Sequence, residues 1–177
     1  MTTTYTSPFR VRAVAPAVLE RLRLADDAGL TPEPAVDAEG GAPLRCCLRR
    51  SRPGERVSLV AYAPLRRWAA ATGARPGPYD ETGPVFVHAR AEDCPGPPAG
   101  AGHAPALGLH GERRVLRAYD AGGRILGGRL VQLSAEEAAA GAAEAVLATR
   151  FADPRVALVH VRAVEYGCFL YEAVRVR

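Results

Sequence analysis

A chain of 177 residues with 24% charged residues and a net charge of +4 can bury roughly two thirds of its unfolded surface around one core without disulfide staples. Its basic residues are all arginine, with neither lysine nor asparagine present, as a GC-rich genome leaves them. These arginines are spread along the chain without the aromatic interleaving of single-strand binders or a helix-turn-helix pattern, so no nucleic-acid partner is expected.

No apolar run approaches the ~20 residues of a membrane span, and the first residues lack the charged and apolar regions of a signal peptide. No membrane partner and a cytoplasmic location are therefore expected. Cysteines 46, 47, 94 and 168 are expected there as thiols, the adjacent pair being poorly placed to bridge each other.

Phe9 to Val14 alternates as a half-buried strand, and Pro16 opens a short helix with an apolar stripe of Val18, Leu19 and Leu22, ended near Gly29. Thr31 to Pro43 has no period and predicts a loop, and Leu44 to Leu48 a short strand carrying Cys46 and Cys47. Arg52-Pro53-Gly54-Glu55 is a turn signal before a strand over Val57 to Tyr62, and one helical turn is expected between Trp68 and Gly77.

The stretch from Pro78 to Ala89 joins a rigid polar turn to a strand entered through Gly83 and Pro84. On that strand Val85, Val87 and Ala89 share one face, Phe86, His88 and Arg90 the other. Cys94 to Pro105 is an irregular loop with an expected mobile tip. Asp120 to Gly123 predicts a hairpin between strands at 115–119 and 124–131. Ser134-Ala135-Glu136-Glu137 is a capping box starting a helix to about Thr149, ended before Asp153-Pro154. The last two strands, Val156 to Val164 and Cys168 to Val176, are joined by Glu165-Tyr166-Gly167.

This order predicts a single α+β domain, a mostly antiparallel sheet with two main helices on one face. The face of Val85, Val87 and Ala89, continued by Ala157, Val159, Val161 and Ala163, would lie under the helices. His88 and His160 would stand on the opposite face.

The residues that could carry chemistry begin with His88, Cys94, His160 and Cys168, whose types suit zinc but whose spacings match no ligand pattern. The hairpin register also separates His160 from Cys168. With Val164 opposite Cys168, Arg162 faces Leu170 and His160 faces Glu172, leaving His160 and Cys168 roughly 13 Å apart along the ladder. His160 and Glu172 are the better pair, with Arg162 one pleat away and His88 joining if its strand lies beside the hairpin.

Two histidines and a carboxylate can move protons or, as an open site, hold iron or zinc. The plain alternative is a cross-strand ion pair on a solvated face. Arg117 and Tyr119, with Arg90 and Arg162, would suit an anionic small molecule, while Tyr79 and Glu81 would form the pocket's lip. Cys47 and Cys168 could serve as nucleophiles beside a base, though a strand cysteine usually acts as a small buried hydrophobe.

Pro78-Tyr79, Gly83 to Val87, Arg117 to Asp120, Val159-His160 and Gly167-Cys168-Phe169, with Arg45 to Leu48 and Gly54-Glu55, resemble the signature blocks of a bacterial domain-of-unknown-function family, number 1203. The resemblance implies a shared fold and pocket and no particular activity. Arg162 and Ala163 stand where members carry a second histidine and an asparagine, so a role for that histidine does not carry over. Two functions stay open: small-molecule binding or catalysis at the His/Glu/Arg face, and docking of a partner on that face.

Overall fold

The computed structural model describes residues 7–97 and 113–176, so the tip of the predicted irregular loop lies outside the described residues. The strands are β1 (Phe9–Arg12), β2 (Pro34–Asp37), β3 (Pro43–Leu44), β4 (Arg49–Arg50), β5 (Glu55–Tyr62), β6 (Gly83–His88), β7 (Arg113–Tyr119), β8 (Ile125–Gln132), β9 (Leu158–Ala163) and β10 (Phe169–Arg175). The helices are α1 (Pro16–Leu24), α2 (Pro64–Thr72), α3 (Ala135–Ala139) and α4 (Ala142–Phe151). The protein is α+β with antiparallel pairing dominant, as its run of hairpin signals predicts.

Its strands divide into two five-stranded sheets, ordered β1-β10-β9-β7-β8 and β2-β5-β6-β3-β4. In the first, α4 lays Leu147 and Phe151 on one face, against Leu116, Ala118, Val159 and Val161. On the other face, Tyr119, Leu158 and Val174 meet Leu65 and Trp68 of α2. Phe169 reaches across to the second sheet, joining a cluster with Val85, Val87 and the α1 residues Leu19 and Leu22. Both sides of the first sheet are therefore covered, which is why His160 is buried rather than solvated.

Several expectations are corrected here. The face of Val85 and Val87 does not continue into Val159 and Val161, because β5 and β3 occupy the two edges of β6. The supposed loop from Thr31 to Pro43 contains β2, an edge strand with Pro34 at its first position, where a missing N–H is tolerated. The helix at α2 is longer than one turn, opening on Pro64 and closing on Gly73 in the left-handed conformation. The helix from Ser134 keeps its capping box but is interrupted by left-handed Gly141, which divides α3 from α4.

The β9–β10 register places Glu172 opposite His160, as predicted, but Arg162 faces Phe169 rather than Leu170. An irregularity between Phe169 and Tyr171 absorbs the extra residue. It turns Leu170 and Tyr171 into the α4-side core and leaves Phe169 for the other face. Ala163 N–H, not that of Val164, closes the hairpin on the Cys168 carbonyl.

One turn glycine is strictly required. Gly40 has φ +74°, and an added Cβ would lie 2.8 Å from the Pro53 backbone nitrogen. Gly40→Ala is expected to destabilise the protein by about 2 kcal/mol or more, since left-handed strain and a backbone clash add. A urea unfolding curve checks this.

Candidate metal centre

Between β3 and β4 the chain makes a turn instead of the predicted strand. Leu48 N–H donates to the Leu44 carbonyl at 2.9 Å, and Leu48 takes a left-handed φ of 57°. The consequence is chemical. Consecutive residues of a strand point to opposite faces, but this turn sends both thiols the same way, with Cys46 and Cys47 sulfurs 4.0 Å apart.

The last residue of β6 meets them. His88 Nδ1 lies 3.2 Å from Cys46 Sγ and 3.9 Å from Cys47 Sγ. Two main-chain bonds fix the approach, Arg45 N–H to the Phe86 carbonyl at 2.9 Å and His88 N–H to Cys46 Sγ at 3.4 Å. The chain beyond β6 then turns back, Cys94 N–H donating to the Ala91 carbonyl, and brings a third thiol into the group. One ligand atom from each of Cys46, Cys47, His88 and Cys94 lies within 4.8 Å of all the others.

Those separations suit one ion. Zinc bonds of ~2.3 Å to sulfur and ~2.0–2.1 Å to nitrogen place tetrahedral ligands roughly 3.5–3.8 Å apart. Cys46, Cys47 and His88 are fully buried and Cys94 partly so. The environment also splits the vicinal thiols. The hydrogen bond that Cys46 donates to Cys47, together with burial, pushes Cys46 up, while the same contact, then the Arg49 backbone N–H and the Arg49 charge, bring Cys47 down, so Cys47 is the more acidic of the two. Burial raises Cys94. Burial, followed by the Arg49 charge, lowers His88 and favours the neutral ring that a metal requires.

Behind His88 stands an ion pair. Arg49 holds Glu55 through two bonds of 2.7–2.8 Å and keeps its carboxyl down at about 2. Arg49 Nη2 reaches His88 Nε2 at 3.1 Å, with Glu55 Oε2 at 3.9 Å from the same nitrogen.

The other expected site residues fall into separate groups. His160 and Glu172 do meet, Nε2 to Oε2 at 3.9 Å, but His88 is on the other sheet with the cysteines. His160 sits edge-on between Tyr119 and Phe169, with ring centroids 4.8 and 5.1 Å away. Neither of its nitrogens has a hydrogen-bond partner among the described residues. Burial drops its pKa to about 3 and raises that of Glu172 to about 7, against the opposing pull of Arg12 at 3.7 Å.

Arg117 and Arg162 converge as anticipated, yet on Glu81, at 2.8 and 3.0 Å. Arg90 pairs with Asp93 and Glu92 away from them, and Tyr79 is 40% exposed. Cys168 bonds the Tyr166 carbonyl and stays outside the metal-type cluster.

The family model described as a protein of unknown function, DUF1203, matches residues 41–175. The chain belongs to the DUF1203 family. All four residues of the cluster lie inside the matched segment. No curated protein matches the chain, and no solved structure does. Among the described residues of this DUF1203 protein, no helix is long and apolar enough to cross a membrane.

Proposed function

We propose that this DUF1203 protein is a metal-binding protein that holds one zinc ion through Cys46, Cys47, His88 and Cys94. The observation that carries the reading is the mutual approach, within 4.8 Å, of four soft or borderline ligand atoms from three chain segments. Four protein ligands fill a tetrahedral shell, which makes the ion structural: it ties the β3–β4 turn, the end of β6 and the following loop together. A reducing cytoplasm suits a site whose thiols must stay free.

Binding through Nδ1 requires the proton on Nε2, where Arg49 now presents a donor. Glu55, 3.9 Å from that nitrogen, would then be the acceptor that orients the ring in a carboxylate–histidine–metal arrangement. Titration of the reduced protein with zinc against a chromophoric chelator tests the reading, with one equivalent bound as the expected result. No competition, even at high protein concentration, would exclude it. In the same assay Glu55→Gln is expected to weaken zinc binding by roughly 10–100-fold.

A small-molecule role for the Glu172 side is a second reading, supported by one further feature. A cavity of about 790 Å³ is lined by Cys46 and Cys94 together with Glu172, Arg12 and Arg23. Glu172, with a pKa near 7, is suited to give or take a proton there, with His160 as its neighbour and an anionic ligand held by the arginines. A metabolite screen in which Glu172→Gln leaves every affinity unchanged would remove this reading.

A further inference from the structure

A second cavity, of about 760 Å³, is lined by Arg45, Arg50, Arg114, Leu59, Phe86 and Leu170. Its size is that of a small-molecule site. Two observations characterise its lining.

The first is apolar. Leu59 and Phe86 are cross-strand neighbours on β5 and β6, and Leu59 is 52% exposed. Such a pair, left open by the described residues, is the surface that an apolar body would take from water.

The second is electrostatic. Arg45 is 3% exposed, and its guanidinium is held by the carbonyls of Phe169, at 2.8 Å, and Pro43. No carboxylate among the described residues pairs with it. A buried cation with only dipoles around it is costly. Among the described lining residues three are arginines and one, Glu165, is an acid, which acts on Arg114. The cavity thus joins a positive end to an apolar wall.

We propose that this cavity binds an amphipathic monoanion, a carboxylate on an aliphatic or aromatic body, with the body against Leu59, Phe86 and Leu170 and the charge toward Arg45. The proposal goes beyond the metal reading and does not depend on it. Decanoate, decanol and decylamine serve as probes in calorimetric titration of the full chain.

Decanoate is expected to saturate one site per chain and to bind at least about tenfold more tightly than decylamine, with decanol between them. Arg45→Met tests the charge directly but also removes the tie to the Phe169 carbonyl. Leu59→Glu is the variant that spares the fold, because that side chain is half exposed. It is expected to weaken decanoate about tenfold or more without shifting the melting temperature. Equal affinity for the three probes, or decanoate binding unchanged in Leu59→Glu, would overturn the proposal. So would concentration-dependent self-association that Leu59→Glu abolishes in a protein that binds no decanoate, which would assign the wall to a second copy of the chain.

Discussion

The Cys94→Ser variant is expected to purify without stoichiometric zinc and to melt roughly 8–16 °C below the zinc-loaded parent. The magnitude follows from linkage: with free zinc at ~1,000 times its dissociation constant, binding to the native state alone adds about 4 kcal/mol, and ~2–4 °C accompany each kcal/mol in a chain of this size. Cys94 is the informative ligand to change. Cys46 and Cys47 are 2% and 1% exposed, so substituting them also disturbs packing, whereas Cys94 is only partly buried and its serine variant isolates the metal's contribution. Calorimetric melting with and without a strong chelator makes the comparison. Chelator should lower the parent to the level of the variant and leave the variant unmoved. Equal melting of parent and variant in saturating zinc would mean that the cluster holds no stabilising ion.

The buried pair His160 and Glu172 sets a second large effect, read against pH. His160 has a folded pKa of about 3 against 6.5 for a free histidine. Its neutral form is the one the fold accepts, so its contribution is whole above pH 6.5 and is lost as pH falls toward 3, on the order of 5 kcal/mol at ~1.4 kcal/mol per pH unit. Glu172 runs the other way. Its folded pKa of about 7 exceeds the ordinary 4.5, so its contribution is whole below pH 4.5 and is lost as pH rises through 7, on the order of 3 kcal/mol. Between pH 4.5 and 6.5 the two slopes oppose and nearly cancel.

The variants separate them. Glu172→Gln is expected to expose the full acid limb of His160, with stability falling steadily from pH 6.5 to 3. His160→Leu should instead gain stability as pH is lowered from 7 to 4.5. Urea unfolding across this range, taken as the difference from the parent at each pH, gives both slopes. A Glu172→Gln curve parallel to the parent's would show that the carboxyl is not held neutral by its surroundings.

Much of this architecture was legible in the residues. Alternation marked β1, β5, β6 and the last two strands, Asp120-Ala121-Gly122-Gly123 marked the β7–β8 hairpin, and hairpin arithmetic put Glu172 opposite His160. Those signals are local, carried by side-chain period and turn chemistry. The division into two sheets was not legible, because the partners of β6 depend on β3, a strand of two residues with no period to read.

The metal-type cluster was missed for a related reason. The sequence around Cys46 and Cys47 predicts a strand, in which they would diverge, and only the turn at Leu48 makes them converge. The pattern that could have found them was a vicinal Cys-Cys pair, together with His88 and Cys94, in a chain with so few other cysteines and histidines. Arg117 and Arg162 were rightly expected to converge. Their partner, Glu81, was read as part of the lip, because its reach across 36 residues to Arg117 is a tertiary fact.

X-ray absorption at the zinc edge, on reduced protein reconstituted with one equivalent of zinc, tests the central claim most directly. The account predicts about three sulfur neighbours at ~2.3 Å and one nitrogen at ~2.0–2.1 Å in the parent protein. A shell of nitrogen and oxygen alone, or failure to retain the metal through desalting, would contradict it.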